Sequence, residues 1–145
     1  MNTPTQQQAQ AQRVGVWPTL IYRDGQRALT FLTEVLGFRL VASYPGAAEG
    51  SIGHAELAWP AGGGIMLGSA DAKTEVDAFT ELAGQRQSIY LVHDDPDAVF
   101  ARATHAGAGV VRELTTTDYG SREFTVRDPE GNLWSVGTYA GESAG

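Results

Sequence analysis

Two runs near the C-terminal end, 123–127 and 133–138, alternate apolar with polar residues, the period of a half-buried β-strand. Between them stands Asp128-Pro129-Glu130-Gly131-Asn132, a strong turn signal. The proline fixes its own φ, and glycine and asparagine tolerate positive φ, so the chain reverses here at little cost. The pattern predicts a hairpin. A degraded copy lies upstream, where Pro60, Gly62, Met66 and Gly68 stand in for Pro129, Gly131, Ser135 and Gly137 at one offset (129 − 60 = 69).

Taken in order, residues 14–23 read as a strand with Val16, Pro18, Leu20 and Tyr22 on one face and Trp17, Thr19 and Ile21 on the other. Asp24 and Gly25 end it and put a carboxylate at the mouth of a helix, 26–36. Ala28, Phe31, Leu32, Val35 and Leu36 recur there at helical spacing, and Gly37 is placed as the C-cap. Strands follow at 38–44, 51–59 and 65–69. A polar connector, 71–87, leads to a second round: a strand at 88–93, a helix opened by Asp95 and Pro96 and continued over 97–105, Gly107 as its stop, and strands at 110–116, 123–127 and 133–138.

Each round reads strand-helix-strand-strand-strand. A small sheet with one helix cannot bury both faces alone, so two copies should pair. The expected fold class is α+β: two βαβββ modules form a concave, cupped mixed β-sheet with helices on the outside. The modules span 14–70 and 88–139, joined by the connector 71–87. A disordered tail, 1–13, precedes them, and a short tail, 140–145, follows.

Period two then sorts the side chains. Ile65, Leu67, Trp134 and Val136, with Ala55, Leu57, Phe124 and Val126, should lie under the helices. Trp17, Thr19, Ile21, His54, Glu56, Met66, Ser88, Tyr90, Val92, Glu123, Thr125 and Ser135 should point into the concavity. Tyr119 and Arg122 fall at its rim. Aromatic and aliphatic walls with a few convergent polar groups are the usual make-up of a small-molecule site.

Composition narrows the reading further. The chain has 145 residues, 42% hydrophobic and 19% charged, which is one ordinary globular domain. A net charge of -7 with only 10 scattered basic residues argues against a nucleic-acid surface. The same acidity favours a cationic ligand, although it also serves solubility. There is no cysteine, hence no disulfide framework, thiolate metal site or cysteine nucleophile. No apolar run approaches the roughly 20 residues of a membrane span, and residues 1–13 lack a signal-peptide core, so the expected setting is cytoplasmic.

The doubled unit, Tyr22-Arg23-Asp24 ahead of a helix ending Val35-Leu36-Gly37-Phe38, His54-Ala55-Glu56-Leu57, and Asp128-Pro129-Glu130-Gly131-Asn132 before an aromatic strand together resemble the vicinal oxygen chelate superfamily. That family includes glyoxalase I, extradiol dioxygenases, fosfomycin-modifying enzymes and bleomycin-resistance proteins. The resemblance covers about 14–139. It implies the fold, and a homodimer, more firmly than any one chemistry.

Metal-dependent members take His or Gln from the first strand of each unit and Glu from the fourth. Carried over, those positions fall on Trp17, Ser88, Met66 and Ser135, none of them a suitable ligand for a hard divalent cation. The resemblance therefore implies no metal cofactor. A displaced set remains open: His54 and Glu56 side by side on one strand, with Glu123 as the pseudo-symmetric partner of His54. The plainer alternative makes His54 and Glu56 a hydrogen-bonded pair.

Other positions also carry two readings. Trp17 either stacks on a flat or cationic ligand or plugs the vacated cavity, and Tyr90 shares the ambiguity. Arg122 either pairs with an anionic group or is an ordinary exposed arginine. His93 and His105 stand at helix ends without a sequence neighbour to pair with.

Three functions fit. The first is a metal-free protein that holds a small, cationic or aromatic ligand in its cleft, as bleomycin-resistance proteins do. The second is a lyase, isomerase or dioxygenase with displaced metal ligands and with His54 or Glu56 as general base. In the third, side chains fill the cleft and the protein acts through its assembly.

Overall fold

The computed structural model describes residues 13–143; the expected tail lies almost wholly outside them. The chain is an α+β fold of two βαβββ modules. The first runs β1 (Thr19–Tyr22), α1 (Gly25–Thr30, continued by a π-helical stretch Phe31–Leu36), β2 (Arg39–Pro45), β3 (Ile52–Ala58) and β4 (Gly64–Ser69). The second runs β5 (Ser88–Val92), α2 (Pro96–His105), β6 (Gly109–Thr116), β7 (Arg122–Arg127) and β8 (Leu133–Gly137). Each module makes one four-stranded mixed sheet, β1-β4-β3-β2 and β5-β8-β7-β6, in which only the first pair is parallel.

Most predicted elements fall within a residue or two of their observed limits. β1 is the exception, starting five residues late. Pro18 has no N–H to offer a ladder and contributes only its carbonyl, to Met66 N at 2.9 Å. The helix caps are as the sequence implies. Asp24 accepts from Arg27 N, Asp95 accepts from Ala98 N, and Pro96 occupies the first turn of α2. Gly37, at φ 98°, closes the widened last turns of α1. The connector folds into two 3₁₀ turns, Ala70–Ala72 and Thr80–Leu82.

One core serves both modules. Leu20, Ala55, Leu57, Ile65 and Leu67 from the first sheet join Leu91, Phe124, Val126, Trp134 and Val136 from the second, with Phe31, Leu32, Leu36, Val99 and Ala103 from the helices. The period-two assignment of the helix-side residues is thus correct. The helices bury that stripe and expose Gln26, Thr30 and Glu34 on α1 and Ala98, Ala101 and His105 on α2 to solvent. Among the described residues, no helix is long and apolar enough to cross a membrane.

Polar contacts lock the modules together at the hairpin turn. The buried Asp128 carboxylate accepts from Tyr22 Oη at 2.6 Å, Trp134 Nε1 at 3.0 Å, Asn132 Nδ2 at 2.9 Å, Asn132 N at 3.0 Å and Glu130 N at 2.9 Å. Beside it, the Glu130 carboxylate takes both Arg23 N (2.7 Å) and Asp24 N (2.8 Å), the exposed backbone where β1 passes into α1. On the other side of the seam, Arg102 donates to the Val35 and Leu36 carbonyls at 2.7 and 2.9 Å, a cation on the C-terminal end of the first module's helix.

Burial and the Asp128 charge push the Tyr22 hydroxyl far above its ordinary value of 10.0. Because the folded value is the higher one, the stability this group contributes is intact below pH 10 and is lost as pH rises beyond it. Two results should follow. In an alkaline absorbance titration one of the five tyrosines stays silent until the chain unfolds. Tyr22→Phe, which takes one donor from a buried carboxylate, lowers unfolding stability by about 1–3 kcal/mol in urea. A stability change near zero would mean that Asp128 does not depend on the first module.

Candidate functional site

The faces turned away from the helices carry the polar groups that alternation assigns to them, in two clusters. On the first sheet, His54 Nε2 and Glu56 Oε2 lie 2.8 Å apart, and the His54 ring stacks on Tyr44 at 6.3 Å between centroids. A cavity of about 280 Å³ opens beside them. Thr19 and Ile21 of β1, Met66 and Gly68 of β4 and His54 of β3 form one side, and Lys73, Phe79 and Thr80 of the connector form the other.

The connector's contribution is locally built. Asp77 accepts from the Phe79 and Thr80 amides at 2.9 and 3.0 Å and from Lys73 Nζ at 2.7 Å. Lys73 in turn sits 5.3 Å from the centroid of the Phe79 ring. The Lys73 and Thr80 hydrogen bonds hold the Asp77 carboxyl below the usual carboxylate range.

On the second sheet the centre is Glu123, 3% exposed. Arg112 Nη2 donates to its Oε1 at 2.6 Å and Tyr119 Oη to its Oε2 at 3.1 Å. Burial raises the Glu123 pKa, but hydrogen bonds from Ser121, Tyr119 and Arg112 and the Arg112 charge outweigh it, leaving the carboxyl below its ordinary value. Tyr90 donates to the Tyr139 carbonyl at 2.7 Å, and the Tyr119 and Tyr139 rings meet edge to face at 5.9 Å. Burial is the main reason the Tyr90 hydroxyl is pushed up, with the Glu123 charge adding to it. Behind them Thr125 and Ser135 share a 2.7 Å hydrogen bond.

The structure thus brings Thr19, His54 and Met66 to one cavity, with Glu56 bonded to His54, and Tyr90, Tyr119 and Glu123 to one cluster beside the bonded Ser135. It sets others apart. Ser88 is exposed at the first position of β5. Trp17 is half-buried against Gly64, where an added Cβ would come within 2.7 Å of its ring. Arg122, one residue out of phase with Glu123, points the other way and grips both oxygens of Asp97 at 3.1 and 3.2 Å. His93 does have a partner: its Nδ1 accepts from Asp95 N at 2.8 Å, and its ring meets Trp59 edge-on at 5.9 Å.

Sequence reasoning missed Arg112, Tyr139 and the connector residues. Arg112 pairs with Thr125, but β6 carries register irregularities on both sides of it, and no pattern of residue types reveals a bulge. The connector gave a partial signal in Asp77 and Thr80, whose spacing suits a capped turn.

The four positions at which a metal-dependent relative would hold its ion do not fit one. Ser135 is engaged with Thr125, Ser88 stands at a strand end, and Trp17 and Met66 offer an indole and a thioether. Among the described residues no three His, Asp or Glu side chains are grouped to hold a metal ion, so Glu123 does not join His54 and Glu56.

Gly137, next to the aromatic cluster, leaves room for it. A Cβ there would stand 2.5 Å from Tyr90 Oη and 2.9 Å from Glu123 Cγ. Gly137→Ala should displace Tyr90 from the Tyr139 carbonyl and cost about 1–3 kcal/mol of stability by chemical denaturation. Unchanged stability with unchanged tyrosine fluorescence would show the cluster to be loosely packed.

Comparison with known proteins gives this geometry its family. A model of the Glyoxalase/Bleomycin resistance protein/Dioxygenase superfamily matches residues 15–136. An uncharacterized protein of Mycobacterium bovis is 33% identical over 125 residues, 83% of this chain and 80% of that protein. Among solved structures, TioX from Micromonospora sp. ML1 is similar with a TM-score of 0.68 and 34% identity, covering 85% of this chain and 98% of that one. TnmS3, an antibiotic binding protein from Streptomyces sp. CB03234, gives 0.61 and 27%, covering 86% and 93%. The doubled module, the helix-side core and the matched span agree: this chain belongs to the glyoxalase/bleomycin resistance protein/dioxygenase superfamily.

Proposed function

We propose that this chain is a metal-free binding protein that holds a small, partly aromatic molecule against the inner faces of its sheets. The observation that carries this reading is the cavity of about 280 Å³, whose Ile21, Met66 and Phe79 offer apolar contact while Thr19, His54 and Thr80 offer a few hydrogen-bonding groups. Two further facts support it. The residues at the family's metal positions are of the wrong chemistry for a divalent ion. TnmS3, which shares the fold at 27% identity, is itself an antibiotic binding protein.

The protein works as a homodimer in this reading. Leu40, Val41 and Tyr44 on β2 and Val111 on β6 are 42–59% exposed, on the outermost strand of each sheet. Apolar side chains on edge strands are covered or blunted in stable proteins, and a second copy would cover them.

Calorimetric titration with 2-naphthalenemethanol, a neutral bicyclic probe, tests the site. Met66→Trp, which fills the cavity floor, should weaken binding at least tenfold with little change in melting temperature. Prior dialysis against EDTA should leave binding unchanged. Binding that survives the filled cavity, or that EDTA abolishes and zinc or nickel restores, would overturn the reading. For the assembly, sedimentation should give a dimer that Val41→Asp converts to monomer; a monomeric parent protein would refute it.

A further inference from the structure

The charge of the ligand can be read from the second sheet, given the binding role proposed above. The chain is acidic overall, with 17 Asp and Glu against 10 Lys and Arg, and at long range that attracts cations. The inner face of the second module is different at close range. Its buried carboxylate, Glu123, is already satisfied: Arg112 and the Tyr119 hydroxyl each occupy one oxygen. A cationic ligand would have to displace a guanidinium held at 2.6 Å.

What that face leaves exposed is of the opposite character. Arg112 lies opposite Thr125 in the β6–β7 ladder, on the same face as the Thr125–Ser135 pair. Its side chain is 48% exposed, against 4% for that of Glu123. Only Nη2 is engaged with Glu123, and a guanidinium has five N–H donors in a flat fork. Glu123 therefore acts as a positioning residue that fixes the plane of Arg112 while leaving donors for a ligand. Around it stand Tyr90, 40% exposed, Tyr119, 62%, and Tyr139, 40%. Their hydroxyl protons are committed, those of Tyr90 to the Tyr139 carbonyl, Tyr119 to Glu123 and Tyr139 to Glu142, so they offer ring surface rather than donors.

We infer that the second inner face selects an anionic aromatic ligand, one whose carboxylate or phenolate oxygen is taken by Arg112 while its ring packs on Tyr90, Tyr119 and Tyr139. Three naphthalene probes of one size separate this from its opposite by calorimetry: 2-naphthoate, neutral 2-naphthalenemethanol and cationic 2-naphthylmethylammonium. 2-Naphthoate should bind about tenfold tighter than the alcohol and tighter still than the ammonium.

Two variants then report on the role of the pair. Arg112→Gln should remove the preference for 2-naphthoate over the alcohol. Glu123→Gln, which leaves the guanidinium without its anionic partner, should tighten 2-naphthoate several-fold. A purely structural Glu123 would not raise affinity when changed, and melting curves of both variants establish that they are folded. An ammonium probe that binds best overturns the inference while leaving the binding function standing. If no probe of the three binds, both fall.

Discussion

The carboxylate of Asp128 is the point on which the two halves of this chain depend. Five donors converge on it, four from its own hairpin and one, the Tyr22 hydroxyl, from the opposite module. A buried charge is tolerable only when it is fully hydrogen-bonded, and here the last donor arrives only when the modules dock. Glu130, two residues on, adds the Arg23 and Asp24 amides, so one five-residue turn ties off both the end of β1 and the start of α1. The turn that looks in sequence like a device for reversing the chain is equally a device for joining modules.

The duplication makes the same contact in a different currency on the other side. Trp59 holds the position in the first module that Asp128 holds in the second, and its indole N–H donates to the Val92 carbonyl at 2.6 Å while its ring meets His93. His93 in turn follows β5 as Tyr22 closes β1. Each module's first strand therefore ends against the other module's hairpin. Only one of the two contacts is ionic. Phe38 fills the seam between them, 4.8 Å from Trp59 and 5.7 Å from Trp134 between ring centroids. Such a junction fixes the two inner faces relative to one another, which a binding surface made from both requires.

The fold was legible because the local signals agreed with one another. Alternation put Ile65, Leu67, Trp134 and Val136 on the helix side, and Asp24, Gly37, Asp95 and Pro96 marked helix ends that the structure keeps. Alternation also placed His54, Glu56, Glu123 and Ser135 on the inner faces, and their hydrogen bonds agree. What was hidden depends on register and on long-range contact. Arg112 reaches Glu123 across a strand pair whose register shifts twice, and Tyr139 lies beyond the last strand. The Asp77 turn that brings Phe79 over the first sheet belongs to a stretch with no periodicity to read. Tyr22 was visible as part of a motif, but nothing in sequence order links it to a residue 106 positions away.

The proposed working surface is the pair of inner faces, not the helices or the seam. Amide chemical-shift mapping during titration with 2-naphthoate addresses it directly. Perturbations should concentrate at Thr19, His54 and Met66 on the first sheet and at Tyr90, Arg112 and Ser135 on the second. Perturbations centred instead on the outward residues of α1 and α2, with the inner faces silent, would contradict it.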